Sequence, residues 1–216
     1  MREAFRVELD ELIGDLARMT RLGGRMITNA STALHQVDLA LTELVIADDL
    51  EMTARCDATL RRCVTLLALQ APVATDLRVV VVAMRATDDL RRMGSLAHHI
   101  AKVVRLRHPN PIIPGSIRPM FARMGMLASQ FAEDAATAID HRDALSGDRL
   151  AEADDEVDLL RRRLFSILFA EDWEHGVEAA IDASLIGRYY ERFADHAVAI
   201  ARQVCYLATG RMLVGH

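Results

Sequence analysis

Four carboxylates in the C-terminal half of the chain have the spacing of a cation site. Glu191 and Asp195 are four residues apart, and so are Asp154 and Asp158. On a helix each pair lies on one face, where like charges repel by about 0.2–0.5 kcal/mol. If the two helices form a hairpin that turns near residues 171–173, Asp154 comes level with Glu191, and all four oxygen ligands converge as a divalent cation requires. The four residues are therefore candidate metal ligands.

Ordinary salt bridges are the alternative, and sequence geometry alone favours them. Arg188, Arg192 and residues 161–163, all arginine, lie within helical reach of these acids. His196 follows Asp195 directly, but the step of about 100° between successive helical residues turns it toward another face. We therefore expect His196 to be a poor ligand.

The helix that carries Glu191 and Asp195 has a counterpart 100 positions earlier. Residues 89–102 and 189–202 align, and the residues identical at this offset are Arg92/Arg192, Ala97/Ala197, Ile100/Ile200, Ala101/Ala201 and, just beyond, Val104/Val204. The apolar identities recur every three or four residues, as one stripe of a helix does. Arg91 and Ser95 stand opposite Glu191 and Asp195, so the copies share packing residues and not acidic ones. We expect a duplicated helical unit with one metal site at most, in the second copy.

Catalysis has no candidate residues. The eight histidines are scattered, without an HExxH pair, and no Ser/His/Asp or Cys/His nucleophile arrangement is recognisable. Cys56, Cys63 and Cys205 form no CxxC pair and are expected to be buried, reduced thiols. We therefore predict a protein that is not an enzyme.

The composition indicates an all-α protein. Apolar residues make up 51% of the 216 residues, aromatic residues only 5%, and there are five prolines. This balance favours helices over sheets. The formal charge of −5 argues against nucleic acid as the main partner. No apolar run approaches the roughly 18 residues of a membrane span, and the N-terminus has no signal-peptide pattern, so we expect a cytoplasmic protein.

Six helices are predicted from apolar spacing and cap residues. A heptad-like stride predicts one long helix over residues 5–44, and Asp48 and Asp49 suit the N-cap of a second that reaches Leu69. The others are expected over residues 73–106, from Ser116 as N-cap, over 147–169, and from Glu174 to Gly210. The Val79–Val82 run is interpreted as helix, because its counterpart in the second copy is helical.

These elements predict two tandem three-helix bundles related by an approximate internal two-fold axis. Residues 108–115 contain three of the five prolines and separate the halves. The predicted organisation is a first repeat over 1–108, a connector over 109–115, a second repeat over 116–210 and a C-terminal tail over 211–216.

Two motifs resemble the PhoU family of phosphate-transport accessory proteins. The segment Leu69-Gln-Ala-Pro-Val-Ala-Thr-Asp-Leu-Arg78 is similar to the family's Leu-Gln-x-Pro-Val-Ala-x-Asp-Leu-Arg. Family members then carry Asp-Leu-Glu-Arg-Ile-Gly-Asp-His-Ala, and a second Glu-Arg-Ile-Gly-Asp-His-Ala near the C-terminus. The matching residues of these later motifs are Asp89, Leu90, Arg92 and Gly94, and Glu191, Arg192, Asp195, His196 and Ala197.

The resemblance implies a cytoplasmic, often dimeric regulator that performs no chemistry. Such proteins restrain phosphate uptake and the phosphate-starvation response by contacting the ATPase of the phosphate ABC importer and a sensor histidine kinase. Some members bind metal through Glu-x-x-x-Asp motifs, which here are Glu191 and Asp195, with Asp154 and Asp158 as partners for zinc, iron or magnesium. Two other hypotheses stay open: a carboxylate-rich metal-binding bundle or metalloenzyme, and a purely structural helical dimer.

Overall fold

The structure, a computed structural model, describes residues 2–143 and 145–210, and within them it contains α-helices and no strand. The helices are α1 (Arg2–Gln36), α2 (Leu39–Gln70), α3 (Ala74–Arg107), α4 (Arg118–His141), α5 (Ser146–Leu168) and α6 (Gly176–Thr209). The all-α prediction is confirmed, including the helical interpretation of Val79–Val82. The predicted tail over 211–216 lies outside the described residues.

The two halves are three-helix bundles that share one core. In the first half α2 packs on α1 and α3, and in the second half α5 packs on α4 and α6. The halves meet where α1 packs on α4 and α3 packs on α6. The buried apolar residues form one continuous cluster across both halves, so burial stabilises the tandem arrangement as a unit.

Helices α3 and α6 run antiparallel through the middle of the molecule. His196 of α6 contacts Asp89 of α3, with 2.9 Å between Nδ1 and Oδ1, while Arg107 at the end of α3 contacts Asp182 near the beginning of α6. The apolar residues that are identical in the two copies are all buried here: Ala97, Ile100, Ala101, Val104, Ala197, Ile200, Ala201 and Val204. The duplicated stripe therefore forms the packing seam between the repeats.

The boundary between the first two helices was predicted wrongly. The chain turns at residues 37–38, not after residue 44: Val37 has a φ of 55°, and the Asp38 side chain accepts a hydrogen bond from the Leu41 amide as N-cap of α2. After the turn the first buried residues are Thr42 and Val45, whereas one continuous helix would have buried positions 41 and 44. The residue spacing alone looked continuous because the turn is only two residues long.

The connector between the halves is part of the core. Ile112 and Ile113 are buried although they lie in the proline-rich segment. Helix α4 then begins at Arg118 with Ile117 as a cap residue that makes no side-chain hydrogen bond, so the prediction of Ser116 as N-cap was wrong. Pro119 does lie in the first turn of the helix, where the missing N–H costs nothing. Gly210 ends α6 with a φ of 73°, as predicted.

No helix among the described residues is long and apolar enough to cross a membrane.

Gly125 lies at the contact between α1 and α4, where a side chain has no room. A Cβ atom at Gly125 would lie 2.5 Å from the Ser31 hydroxyl and 3.5 Å from the Tyr190 ring. We expect Gly125→Ala to lower the free energy of unfolding by about 1–3 kcal/mol through overpacking, as measured by urea denaturation. Gly115→Ala is the control, because nothing lies within 4 Å of that position. Equal stability of both variants would contradict the tight packing of α1 on α4.

Candidate acidic site

Asp154 and Asp158 on α5 and Glu191 and Asp195 on α6, here called the acidic cluster, lie close enough for their charges to act on one another. Burial, together with the negative charges of Asp195, Asp158 and Glu191, raises the pKa of Asp154 to about 7, while Arg202 opposes the rise. The register differs from the one inferred from sequence: Gly187 lies against Leu164 and Gly147 against Arg202, so Asp154 comes level with Asp195 and not with Glu191. Asp195 is accordingly the largest of the charges that act on Asp154.

Glu191 is a largely enclosed member of this cluster, with a side chain that is 15% exposed. One carboxylate oxygen accepts a hydrogen bond from Arg161 at 3.0 Å, and the Arg161 guanidinium also lies 5.1 Å above the Phe165 ring. The other oxygen is buried without a hydrogen-bond donor, and Arg188 is 4.0 Å from it. Burial raises the pKa of Glu191, Arg161 opposes this, and Asp195 and Asp158 add to it.

Arginine side chains pair with the carboxylates that were predicted to bind a metal cation. Arg161 pairs with Glu191, and Arg192 donates to Asp195 at 3.1 Å, so the salt-bridge alternative describes both contacts. Within residues 2–143 and 145–210, no three His, Cys, Asp or Glu side chains are grouped closely enough to hold a metal ion. A cation at the acidic cluster would have to displace Arg161, and the metal site stays a prediction.

The first repeat has the same ion pair with its charges reversed. Arg91, which aligns with Glu191, donates to Asp57 on α2 at 2.6 Å. Asp57 and Arg91 are 34 positions apart and Arg161 and Glu191 are 30 apart, so Asp57 and Arg161 correspond because each pairs with the same position of the inner helix. In the first repeat the acid lies on the outer helix α2 and the arginine on the inner helix α3. In the second repeat the arginine lies on the outer helix α5 and the acid on the inner helix α6. The position thus keeps a salt bridge in each repeat. One further acid, Asp88, acts on Arg91 in the first repeat, whereas Asp195 and Asp158 both act on Glu191 in the second.

The raised pKa of Asp154 predicts a pH-dependent stability. Since its folded-state pKa of about 7 exceeds the ordinary 3.8, ionisation opposes folding, and this loss of stability grows from about pH 4 to pH 7 and is constant above. We expect Asp154→Asn to raise the free energy of unfolding by about 1–2 kcal/mol at pH 8, allowing for solvent screening of a partly exposed group, and to change it little at pH 4. Urea denaturation at both pH values measures this, with the exposed Asp155→Asn as control. A gain of the same size at pH 4 would rule out the electrostatic cause.

The polar contacts that join the two repeats were not predicted from the sequence. Asp89 of α3 accepts hydrogen bonds from Gln203 at 2.6 Å and is bonded to His196 at 2.9 Å, both on α6. Within the first repeat His98 is bonded to Asp49 at 2.5 Å. These partners are about 50 to more than 100 positions apart, so no spacing rule within one helix finds them. His196, expected to be a poor ligand for the acidic cluster, faces α3 instead.

The cysteines are buried, as predicted. Burial raises the pKa of the Cys56 and Cys63 thiols to about 11 in each case. A thiol with such a pKa is almost entirely protonated at neutral pH and is a weak nucleophile. These two residues are packing elements of α2.

Comparison with known proteins places both repeats in one family. A family model described as the PhoU domain matches residues 16–104 and 121–204, one match in each half. Two full-length relatives are named phosphate-specific transport system accessory proteins. PhoU homolog 1 of Mycobacterium leprae is 43% identical over 97% of this chain and 95% of its own length, and PhoU homolog 2 of Mycobacterium tuberculosis is 42% identical over 97% and 99%.

Solved structures share the whole arrangement of helices. The crystal structure of the phosphate transport system regulatory protein PhoU from Streptococcus pneumoniae superposes with a TM-score of 0.86 at 27% identity, over 97% of this chain and 99% of that one. PhoU from Pseudomonas aeruginosa gives a TM-score of 0.86 at 25% identity, over 96% and 100%. The similarity therefore covers both repeats and the way they pack.

Proposed function

We propose, because this chain belongs to the PhoU family, that it is a cytoplasmic negative regulator of phosphate uptake and of the phosphate-starvation response. In this proposal it is an adaptor that links the ATPase subunit of a phosphate ABC importer to a sensor histidine kinase. It works as a homodimer and makes or breaks no covalent bond.

The full-length similarity carries the proposal. Relatives that are named phosphate-specific transport system accessory proteins align over 97% of this chain, across both repeats. None of these names is that of an enzyme. The polar contacts that join the repeats are paired within the protein, since His196 is bonded to Asp89 and Arg107 to Asp182. An adaptor needs rigid surfaces, and one continuous core under six helices supplies them.

Deleting the gene tests the regulatory role. In high phosphate we expect constitutive expression of phosphate-starvation genes, restored to repression by the wild-type gene in trans. Binding of the purified protein to the importer ATPase and to the sensor kinase, and its sedimentation as a dimer, test the adaptor role. Normal repression in the deletion strain, or binding to neither partner, would contradict the proposal.

Cation binding is a second candidate function, favoured by four carboxylates on two facing helices whose charges add to burial in raising the pKa of Asp154. The proposed ligands are the four residues of the acidic cluster, and zinc, iron and magnesium are the candidates. We expect chelator-free protein to lose bound metal on Glu191→Ala or Asp195→Ala, as measured by mass spectrometry of the metal content. The metal proposal fails if neither substitution changes the stoichiometry, and Asp155→Ala is the exposed acidic control.

A further inference from the structure

An apolar groove lies at the turn between α5 and α6, far along the molecule from the end of α6 at Gly210. Its volume is about 530 Å³. One wall is the end of α5, where Phe165 and Phe169 stack with ring centroids 5.9 Å apart. The other wall is the first turns of α6. Trp173 of the turn also lines the groove, and its indole nitrogen donates to the Gly176 carbonyl at 2.9 Å. The large apolar side chains that line the groove include Phe165, Phe169, Trp173, Val177, Ile181 and Leu185.

These side chains are more exposed than a soluble surface usually leaves them. Phe169 is 81% exposed, Val177 75% and Ile181 53%. Val177, Ile181 and Leu185 are spaced by four residues, which makes one ridge along α6. A contiguous apolar patch of this kind on a folded protein marks an interaction surface, and its two helical walls have the shape that receives the apolar face of a third helix.

The charge around the groove indicates which kind of helix fits. Residues 164–187 contain five acids and no lysine or arginine. Two of the acids are already paired, because Arg107 of α3 contacts Glu178 and the buried Asp182, and the Arg161 guanidinium lies over the Phe165 ring. The acids that remain around the groove are those of the turn. Glu171, Asp172 and Glu174 lie exposed in the same turn as Phe169 and Trp173. Such a rim attracts a cationic partner and repels an anionic one, including the headgroups of anionic lipid.

The equivalent tip of the first repeat is the internal comparison. It too is apolar, with Leu69 74% and Val73 73% exposed. Yet residues 64–87 contain one acid, Asp76, and two arginines, Arg78 and Arg85. Arg78 itself lines the depression beside Leu77 and Tyr206. The duplicated tips have thus kept apolar exposure while only the second has an acidic rim.

We propose that the α5–α6 groove binds a short amphipathic helix of a partner protein, with an apolar face flanked by lysines or arginines. The ridge of Val177, Ile181 and Leu185 packs against the apolar face, Phe169 and Trp173 cover it, and the acids of the turn pair with the flanking cations. This rests on the proposed adaptor function, for which it names the binding surface and the chemistry of the partner segment.

Trp173 reports binding directly, because it is the only tryptophan of the chain. The probe is a synthetic helical peptide without aromatic residues, with leucines spaced by four residues and three lysines at each end. Its twin carries glutamates in place of the lysines. We expect the lysine peptide to shift and enhance Trp173 emission in a saturable way at moderate salt, and the glutamate peptide to bind at least about tenfold more weakly, a difference of about 1.4 kcal/mol.

Matched variants locate the site. Phe169→Ser combined with Val177→Ser changes two exposed side chains and should weaken the lysine peptide at least about tenfold. Leu69→Ser combined with Val73→Ser makes the same change at the first tip and should leave the affinity unchanged. Circular dichroism confirms that both variants are folded. The proposal is overturned if the peptides bind equally, if neither binds, if both double variants weaken binding alike, or if vesicles of phosphatidylglycerol shift Trp173 emission in preference to the peptide.

A second measurement separates this proposal from the adaptor function. The importer ATPase and the sensor kinase are each titrated against wild-type protein and the Phe169/Val177 double variant. Loss of binding to one of them in that variant alone supports both proposals. Binding that is the same in wild type and variant overturns the groove and leaves the adaptor function standing. Binding of the lysine peptide without binding of either protein keeps the groove and overturns the adaptor function.

Discussion

Replacing Tyr190 with alanine is expected to lower the free energy of unfolding by about 3–5 kcal/mol, the largest single effect in the core. Tyr190 is completely buried on α6 and is the largest of the fully buried side chains in the described part of the chain. Its ring lies 6.4 Å from the Phe121 ring of α4, and its hydroxyl is hydrogen-bonded to Ser31 of α1 at 2.8 Å. The truncation leaves a cavity where three helices from both repeats meet, so urea denaturation followed by circular dichroism should show a lower midpoint for the whole molecule.

Two further variants divide this effect into its packing and polar parts. Tyr190→Phe keeps the ring and removes one buried hydrogen bond, which is worth about 1 kcal/mol. Ser31→Ala leaves the Tyr190 hydroxyl buried without that partner, and burial already raises the pKa of Tyr190, so its hydroxyl stays neutral and still needs a partner. We expect Ser31→Ala to cost about 1–3 kcal/mol. A loss in Tyr190→Phe as large as that in Tyr190→Ala would show that the ring does not fill this core.

The seam between the repeats could be read from the sequence because it repeats with a helical period. Ala97, Ile100 and their counterparts 100 residues later are buried in both copies, and burial of one helical stripe is what a stride of three and four residues encodes. The turn after α1 could not be found in the same way. It has neither glycine nor proline, and its only local signal is Asp38 as N-cap, while apolar residues continue on both sides at helical spacing.

The acidic cluster was predictable in position but not in its partners. Spacing by four put each acid pair on one helix face, and an assumed turn put Asp154 level with Glu191. The contacts of Gly187 with Leu164 and of Gly147 with Arg202 instead put Asp154 level with Asp195, because the sequence does not give the register of the two helices. Which arginine reaches Glu191 depends on the rotation of α5 about its axis, since residues 161–163 are all arginine and point in three directions. The contacts of Asp89 with α6 depend on how α3 and α6 pack, and a charge pattern along one helix holds no information on that.

Arg161→Ala is expected to destabilise the protein by about 1–3 kcal/mol at pH 8, less than the roughly 3–5 kcal/mol of a fully buried pair because both side chains are partly exposed. The substitution leaves Glu191 without its donor among three other acids. Removal of Arg161 raises the pKa of Glu191 further above its ordinary range. A carboxylate with a raised folded-state pKa costs stability above that pKa and little below it, so the loss at pH 8 should exceed that at pH 4. Denaturation at both pH values measures the difference.

Two controls assign this loss to the unpaired carboxylate. Glu191→Gln in the Arg161→Ala background should recover most of the stability at pH 8, because no buried charge remains. Arg91→Ala in the first repeat breaks a more exposed pair and should cost less than about 1 kcal/mol.

The Arg161→Ala variant also tests the metal prediction. Since Arg161 holds the place that a cation would take beside Glu191, its removal should let added zinc or magnesium raise the unfolding midpoint of Arg161→Ala more than that of wild type. If neither cation stabilises Arg161→Ala, the four carboxylates do not form a cation site, and Arg161 serves only to neutralise Glu191.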